Sequence, residues 1–306
     1  MVLQSTDDEL SLVAGFRSGH RLPVLSWAHG ENEATLWRSS QPKAGVSGSC
    51  SSDEKMLDAI SRSANSSAAR SRYNAVIYIV DCRSRASAMA NRAAGAGYES
   101  QTNYPSSKID FYGICNIHAV RDSYKSLAAL LVQGVANSSA DLYFTKQVED
   151  TQWLNNIRAI LKASYDSAMY VHQGFPVLVH CSHGWDRTAQ VCSIAQLFLD
   201  PHYRTFEGFH TLIEKEWISF GHPFQMRCAH SQDKQTRQDD EVAPIFLQFL
   251  DCVWQLLRQA PQCFEFNARY LLVVADHIYS GRFGTFLFSS DHDRVSCDTP
   301  IHSAPI

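Results

Sequence analysis

The stretch from residue 175 to residue 200 constrains the fold more than any other part of the chain. A continuous apolar run, Phe175 to Val179, leads into nine residues of another character, His180-Cys-Ser-His-Gly-Trp-Asp-Arg-Thr188. An amphipathic, helix-like run from Thr188 to Asp200 follows. A strand that ends in a short loop and restarts as a helix is the repeating unit of an α/β fold. Ala75 to Asp81 (AVIYIVD) and Pro176 to His180 (PVLVH) are continuous apolar runs, as expected of buried parallel strands. Between them, Trp153, Ile157, Ile160, Leu161, Ala168 and Val171 recur at helical spacing, with Gly174 placed to end the helix. Ile245, Leu247, Phe249, Leu250, Val253 and Leu256 mark a further, largely buried helix. The expected fold class is α/β, a central, mostly parallel sheet flanked by helices. Gly45 to Arg72, rich in Ser, Ala and Gly, and the polar Gln232 to Glu241 read as loops.

Five residues separate Cys181 from Arg187, enough for the backbone to curl round one tetrahedral anion with successive N–H groups pointing inward at a helix N-terminus. Taken alone, a cysteine and an arginine at this spacing read as a buried thiol and a surface charge. The whole string between strand and helix reads as a phosphate-binding loop with a nucleophile in its floor. A thiol held there beside Arg187 has its pKa lowered from about 8.5 and is a thiolate at neutral pH. Arg187 grips two phosphate oxygens with its planar fork, which a lysine does less well. Thr188 either donates its hydroxyl to the thiolate or caps the helix. Asp186 is the carboxyl in the loop that can protonate a leaving alkoxide. The expected course is a phosphocysteine intermediate, later hydrolysed by water. It needs neither metal nor cofactor, and no spacing among the thirteen histidines suggests a metal site. His180 is placed to orient the loop, while His222 and His230 either line the pocket or are structural.

Hydrophobic content of 45% and charged content of 19% suit a globular protein and indicate neither disorder nor a fibrous repeat. A net charge of −4 offers no general attraction for nucleic acid, so any pull on an anionic ligand must be local to the loop. No apolar run approaches the roughly 20 residues that span a bilayer, and the start, MVLQSTDDELSL, is acidic rather than signal-like. The nine cysteines are scattered, odd in number and without a Cys-x-x-Cys pair, which points to a reducing compartment.

The nonapeptide resembles the active-site signature of the myotubularin family of phosphoinositide 3-phosphatases, within the Cys-x5-Arg tyrosine and dual-specificity phosphatase superfamily. Similar blocks follow in family order: Arg21 to Trp27 (RLPVLSW), Trp37 to Pro42 (WRSSQP), Tyr78 to Arg83 (YIVDCR), Met89 to Glu99 (MANRAAGAGYE) and Asn116 to His118 (NIH). Lys215 to His222 (KEWISFGH), Pro244 to Gln255 (PIFLQFLDCVWQ), Phe264 to Asn267 (FEFN) and Phe283 to Phe288 (FGTFLF) continue the series. The resemblance runs from about residue 13 to residue 288. It implies one phosphatase domain over residues 1–306, with Ser289 to Ile306 unmatched and no N-terminal domain of the pleckstrin-homology type.

The same resemblance implies removal of the 3-phosphate from phosphatidylinositol 3-phosphate and phosphatidylinositol 3,5-bisphosphate. It carries the nucleophile onto Cys181, the phosphate clamp onto Arg187 and the acid onto Asp186. Ser182, His183, Gly184 and Trp185 are implied to line the pocket, and Asn91, Asn116, Ile117 and Arg227 to contact substrate. Implied partners are the lipid headgroup, a membrane surface met peripherally, and family members as homo- or hetero-oligomers; the implied location is cytoplasmic, on endosomal or other intracellular membranes. Two positions depart from the family pattern. His183 stands where active members usually carry Asp, replacing a carboxylate with an imidazole. Pro223 stands where well-known members often carry Lys or Arg, which favours the monophosphate if that base meets the 5-phosphate. An inactive adaptor of the same family and a phosphatase for phosphotyrosine are the alternative readings.

Overall fold

The structure, a computed structural model, describes residues 5–64, 75–136, 143–230, 239–282 and 284–296. In chain order the main elements are α1 (Asp7–Phe16), β1 (Val24–Ala28), β2 (Thr35–Ser40), α2 (Ser51–Ser61), β3 (Ile77–Asp81), α3 (Arg85–Ala93), β4 (Ser107–Phe111), α4 (Ile117–Ala136), α5 (Phe144–Asp150), α6 (Trp153–His172) and β5 (Val177–Cys181). After the loop come α7 (Arg187–Leu199), α8 (Phe206–Ile213), α9 (Phe224–Arg227), α10 (Ile245–Gln259), α11 (Ala268–Ser280) and α12 (Asp291–Ser296). The chain divides into two compact units, Met1–Ile114 with Lys162–Asp200, and Cys115–Leu161 with Pro201–Ile306. The division falls within α6.

The first unit holds a five-stranded sheet in the order β1-β2-β5-β3-β4. β1 pairs antiparallel with β2; every other pair is parallel, as the apolar runs lead one to expect. β5 is central and all five of its residues are buried, which is why its run is continuously apolar rather than alternating. Register pairs Ser40 with Cys181 and Asp81 with His180, so β2, β3 and β5 end level with one another. The carboxyl edge of a parallel sheet, facing a helix N-terminus, is where such folds place their ligands.

Two sequence expectations change. Gly45 to Arg72 is not wholly loop: α2 lies within it, and Met56, Leu57 and Ile60 pack with Val13, Ile77, Ile79, Tyr104 and Leu178. Only three large apolar residues mark that helix among polar and small ones, too few to stand out by periodicity. Residues 65–72 lie outside the described residues. The second change is α7, which is buried along Thr188 to Leu197 rather than amphipathic. Its glutamines and serine are therefore interior groups; Gln196 Nε2, for example, donates to Ser26 Oγ at 3.1 Å and to the Cys192 carbonyl at 3.0 Å.

In the second unit, α10 covers the predicted helix, and Trp217, Phe224, Phe246, Phe249 and Phe286 form an aromatic core with Trp217 edge-on to Phe246 at 4.7 Å. His222 is buried against Trp217 and Phe224. Gly174, with φ of +91°, follows α6 as predicted. Phe283, residues 232–238 and residues 297–306 lie outside the described residues, while the start of the unmatched tail forms α12. Among the described residues no helix is long and apolar enough to cross a membrane.

Candidate active site

β5 delivers Cys181 to the sheet edge, and α7 begins six residues later at Arg187. The thiol is 2% exposed. Its sulfur accepts the Gly184 N–H at 3.3 Å and the Thr188 hydroxyl at 3.2 Å. Thr188 is thus the hydroxyl donor of the two options its position offered, and it lies one residue inside the helix. Burial works against a charged thiolate, but Arg187 and the Thr188 donors outweigh it, together with the opposing charge of Asp186, and the Cys181 pKa falls below the ordinary thiol range. Gly184 is required here: its φ is +76°, and a Cβ would stand 2.4 Å from the Ser39 carbonyl oxygen.

Three carbonyls of the loop are held by donors. Cys181 O faces His180 Nδ1 at 3.4 Å, Ser182 O accepts the Gln41 N–H at 3.4 Å, and Gly184 O accepts Arg38 Nη2 at 2.8 Å. A trans peptide is planar, with C=O and N–H pointing opposite ways. Each tethered carbonyl therefore turns the next N–H, of Ser182, His183 and Trp185, away from its tether. Backbone N–H groups of this kind, where they converge, make an anion-binding nest.

Around the nest, Arg187 donates Nη1 to the Ile114 carbonyl at 3.2 Å and reaches Ser182 Oγ with Nη2 at 3.5 Å. Asn91, on α3, donates Nδ2 to Ser182 Oγ at 3.4 Å and to Gln41 Oε1 at 3.1 Å. Gln41 also takes Arg83 Nη1, whose guanidinium forks onto Asp81 at 2.9 and 2.6 Å. The predicted contact Asn91 thus meets the loop directly, through a network that the sequence reading left without roles.

Behind the loop runs a buried ion-pair chain. Arg17 forks onto Asp53 at 2.8 and 2.7 Å and reaches Glu99 Oε1 at 2.6 Å; Glu99 Oε2 lies 3.0 Å from His180 Nε2. Tyr104 donates to Asp53 at 2.7 Å. The side chains of all four charged residues are 0% exposed. Burial opposes the imidazolium, yet Glu99 and Asp81 prevail and the His180 pKa is raised; Glu99 is correspondingly held far below the carboxylate range despite its burial, by His180 and Arg17. His180 thus stands between Glu99 and the carbonyl of Cys181, the first residue of the loop.

At the rim, His183 is exposed and stacks on Trp185 at 4.9 Å and 24°. The Arg21 guanidinium lies 5.2 Å from the Trp185 ring centroid, and its pKa is lowered by burial and by Arg38, against the pull of Cys181 and Asp186. Asp186 itself is 7% exposed at the N-cap position of α7. Asn116, Ile117 and Arg227 belong to the second unit. Asn116 Oδ1 accepts the Ala119 N–H at the start of α4, and Arg227, 3% exposed, pairs with Glu241 Oε2 at 2.8 Å.

Arg21, Arg38, Gln41, Arg83 and Glu99 carry no role in the sequence reading, although each sits in a family-like block; that clustering was the available signal. Arg17 lies outside those blocks and left none.

A family model described as the myotubularin-like phosphatase domain matches residues 2–295, seven beyond residue 288. The chain is 47% identical over 280 residues to human "Phosphatidylinositol-3-phosphate phosphatase MTMR7", a match covering 91% of this chain and 40% of that protein. It is 45% identical over 305 residues to "Phosphatidylinositol-3,5-bisphosphate 3-phosphatase MTMR2" of Gallus gallus, covering 96% and 50%. Against "Myotubularin" of Xenopus tropicalis the identity is 43% over 291 residues, covering 95% and 46%. The chain thus spans half or less of the length of these relatives.

Proposed function

Because this chain belongs to the family of myotubularin-like phosphatase domains, we propose that it removes the 3-phosphate of phosphatidylinositol 3-phosphate and, less readily, of phosphatidylinositol 3,5-bisphosphate. The observation that carries this reading is the Cys181 sulfur between the end of β5 and the start of α7, with the Gly184 N–H and the Thr188 hydroxyl both directed at it. Preference for the monophosphate follows from Pro223, although two relatives, MTMR8 and MTMR2 of Gallus gallus, are named for the bisphosphate.

In the proposed reaction the Cys181 thiolate attacks phosphorus, an S–P bond forms and the bond to the inositol oxygen breaks. Asp186 gives its proton to the departing alkoxide. The nest and Arg187 hold the equatorial oxygens as charge redistributes. Water then attacks the phosphocysteine, Asp186 takes its proton, the S–P bond breaks and orthophosphate leaves with the thiolate restored. Ser182, His183, Gly184, Trp185 and Asn91 bound the headgroup site; for Asn116, Ile117 and Arg227 the proposal rests on resemblance alone. A lipid substrate implies peripheral contact with an intracellular membrane, endosomal by the same resemblance, and oligomers with family members are a further expectation.

The test is phosphate release from short-chain forms of every phosphoinositide isomer and from a phosphotyrosyl peptide, for wild type, Cys181→Ser and His183→Asp. Turnover of the 3-phosphate isomers, lost in Cys181→Ser and indifferent to chelators, is expected. Faster turnover of the peptide would favour a tyrosine phosphatase. An inert wild type with an active His183→Asp would favour the adaptor.

A further inference from the structure

Building on the proposed anion nest, we propose that Glu99 and Arg17 are positioning residues for the nucleophile, keeping His180 a donor at both ring nitrogens so that the Cys181 carbonyl stays tethered. Neutral histidine has one N–H and one lone pair; only the cation donates on both sides. His180 faces an acceptor on each side, Glu99 Oε2 at 3.0 Å and Cys181 O at 3.4 Å. A neutral ring donating to Glu99 would turn a lone pair toward the Cys181 oxygen, and that contact would become repulsive.

A buried imidazolium needs a compensating anion, and Glu99 is the carboxylate in contact with it. Glu99 is in turn fixed by Arg17, which also donates to the carbonyl of Ser40, the register partner of Cys181, at 3.0 Å. Asp53 completes the chain, so two carboxylates balance two cations in a fully buried set. The other charges acting on His180 are Asp81, which supports the cation, and Arg83, which opposes it. Around Cys181 stand Arg187 and Asp186, with Arg21, Arg83 and the Cys82 thiol also in electrostatic range.

The consequence for the site is directional. With the Cys181 carbonyl tethered, the Ser182 N–H turns to the opposite side and joins the nest. Without the tether that peptide loses a contact that fixes its orientation, and the first donor of the nest is weakened. Glu99→Gln keeps the shape of the side chain and removes its charge.

The experiment reads the nest without any turnover. Binding of inorganic phosphate is measured by calorimetry in a Cys181→Ser background, with and without Glu99→Gln. In the Cys181-bearing protein, the pH midpoint of Cys181 alkylation and the His180 ring titration by NMR are followed for the same change. Expected are phosphate binding weaker by about ten-fold, the loss of one charge-assisted donor, a higher alkylation midpoint and a lower His180 pKa. A folded Glu99→Gln protein with phosphate affinity and alkylation midpoint both unchanged overturns the proposal. If Glu99→Gln does not fold, His180→Asn, which removes the ring cation, is read the same way. Phosphate binding that weakens in a protein that hydrolyses no phosphoinositide would leave this proposal standing and defeat the proposed lipid activity.

Discussion

Gly184 shows how little freedom individual residues of the loop have. Its positive φ and the 2.4 Å that would separate an added Cβ from Ser39 O act together. Replacing it with alanine costs about 1–2 kcal/mol for the left-handed backbone alone. The larger effect falls on function, because Gly184 N–H is one of the sulfur's donors. Displacing the loop by about an ångström is expected to lower phosphate release about a hundred-fold, as kinetics on Gly184→Ala would read. The thiol gives a second prediction. Its lowered pKa means that the thiolate persists below the ordinary thiol range, so alkylation by iodoacetamide should proceed at pH values where free cysteine is slow. Arg187→Ala should move the alkylation midpoint upward. Cys181 and Arg187 were legible in the sequence because they lie six positions apart on one loop. Arg17 and Glu99 were not, because they meet across 82 residues of chain, and a charged side chain read in isolation defaults to the surface.

Among the elements, α2 shows where periodicity fails and why it matters. Its inner face is short, yet it carries Asp53 into the ion-pair chain and packs Ile60, fully buried, against the sheet. Ile60→Ala should lower stability by about 2–5 kcal/mol, visible as an earlier thermal transition, and should slow turnover by loosening Asp53 and through it Arg17. The strands β3 and β5 were plain from composition because both faces of each are covered. α7 was placed correctly but mistaken for a half-exposed helix, since its buried Gln190, Ser193 and Gln196 look like a solvated stripe until their surroundings are known.

For the whole molecule, the buried charges set how stability follows pH. Glu99 has a depressed folded pKa, so its contribution is present above the unfolded value near 4.5 and is lost as pH falls into the acid range. His180 has a raised folded pKa, so its contribution is complete below 6.5 and is lost as pH rises through the folded value. Thermal midpoints scanned against pH should therefore form a dome with its crest between these limits, and Glu99→Gln should flatten both flanks. The strand order has a kinetic counterpart. Among the described residues β5 is the last strand and the middle one in the sheet, so β1-β2 and β3-β4 are two unconnected hydrogen-bonded pairs until it inserts. Such long-range pairing is slow to form. Cys181 rides on the strand that closes the sheet, so its lowered thiol pKa should appear only once β5 has inserted, and pulsed alkylation during refolding would time that event. A half-made molecule thus carries an ordinary thiol, and the reactive one is born only when the architecture that guards it is complete.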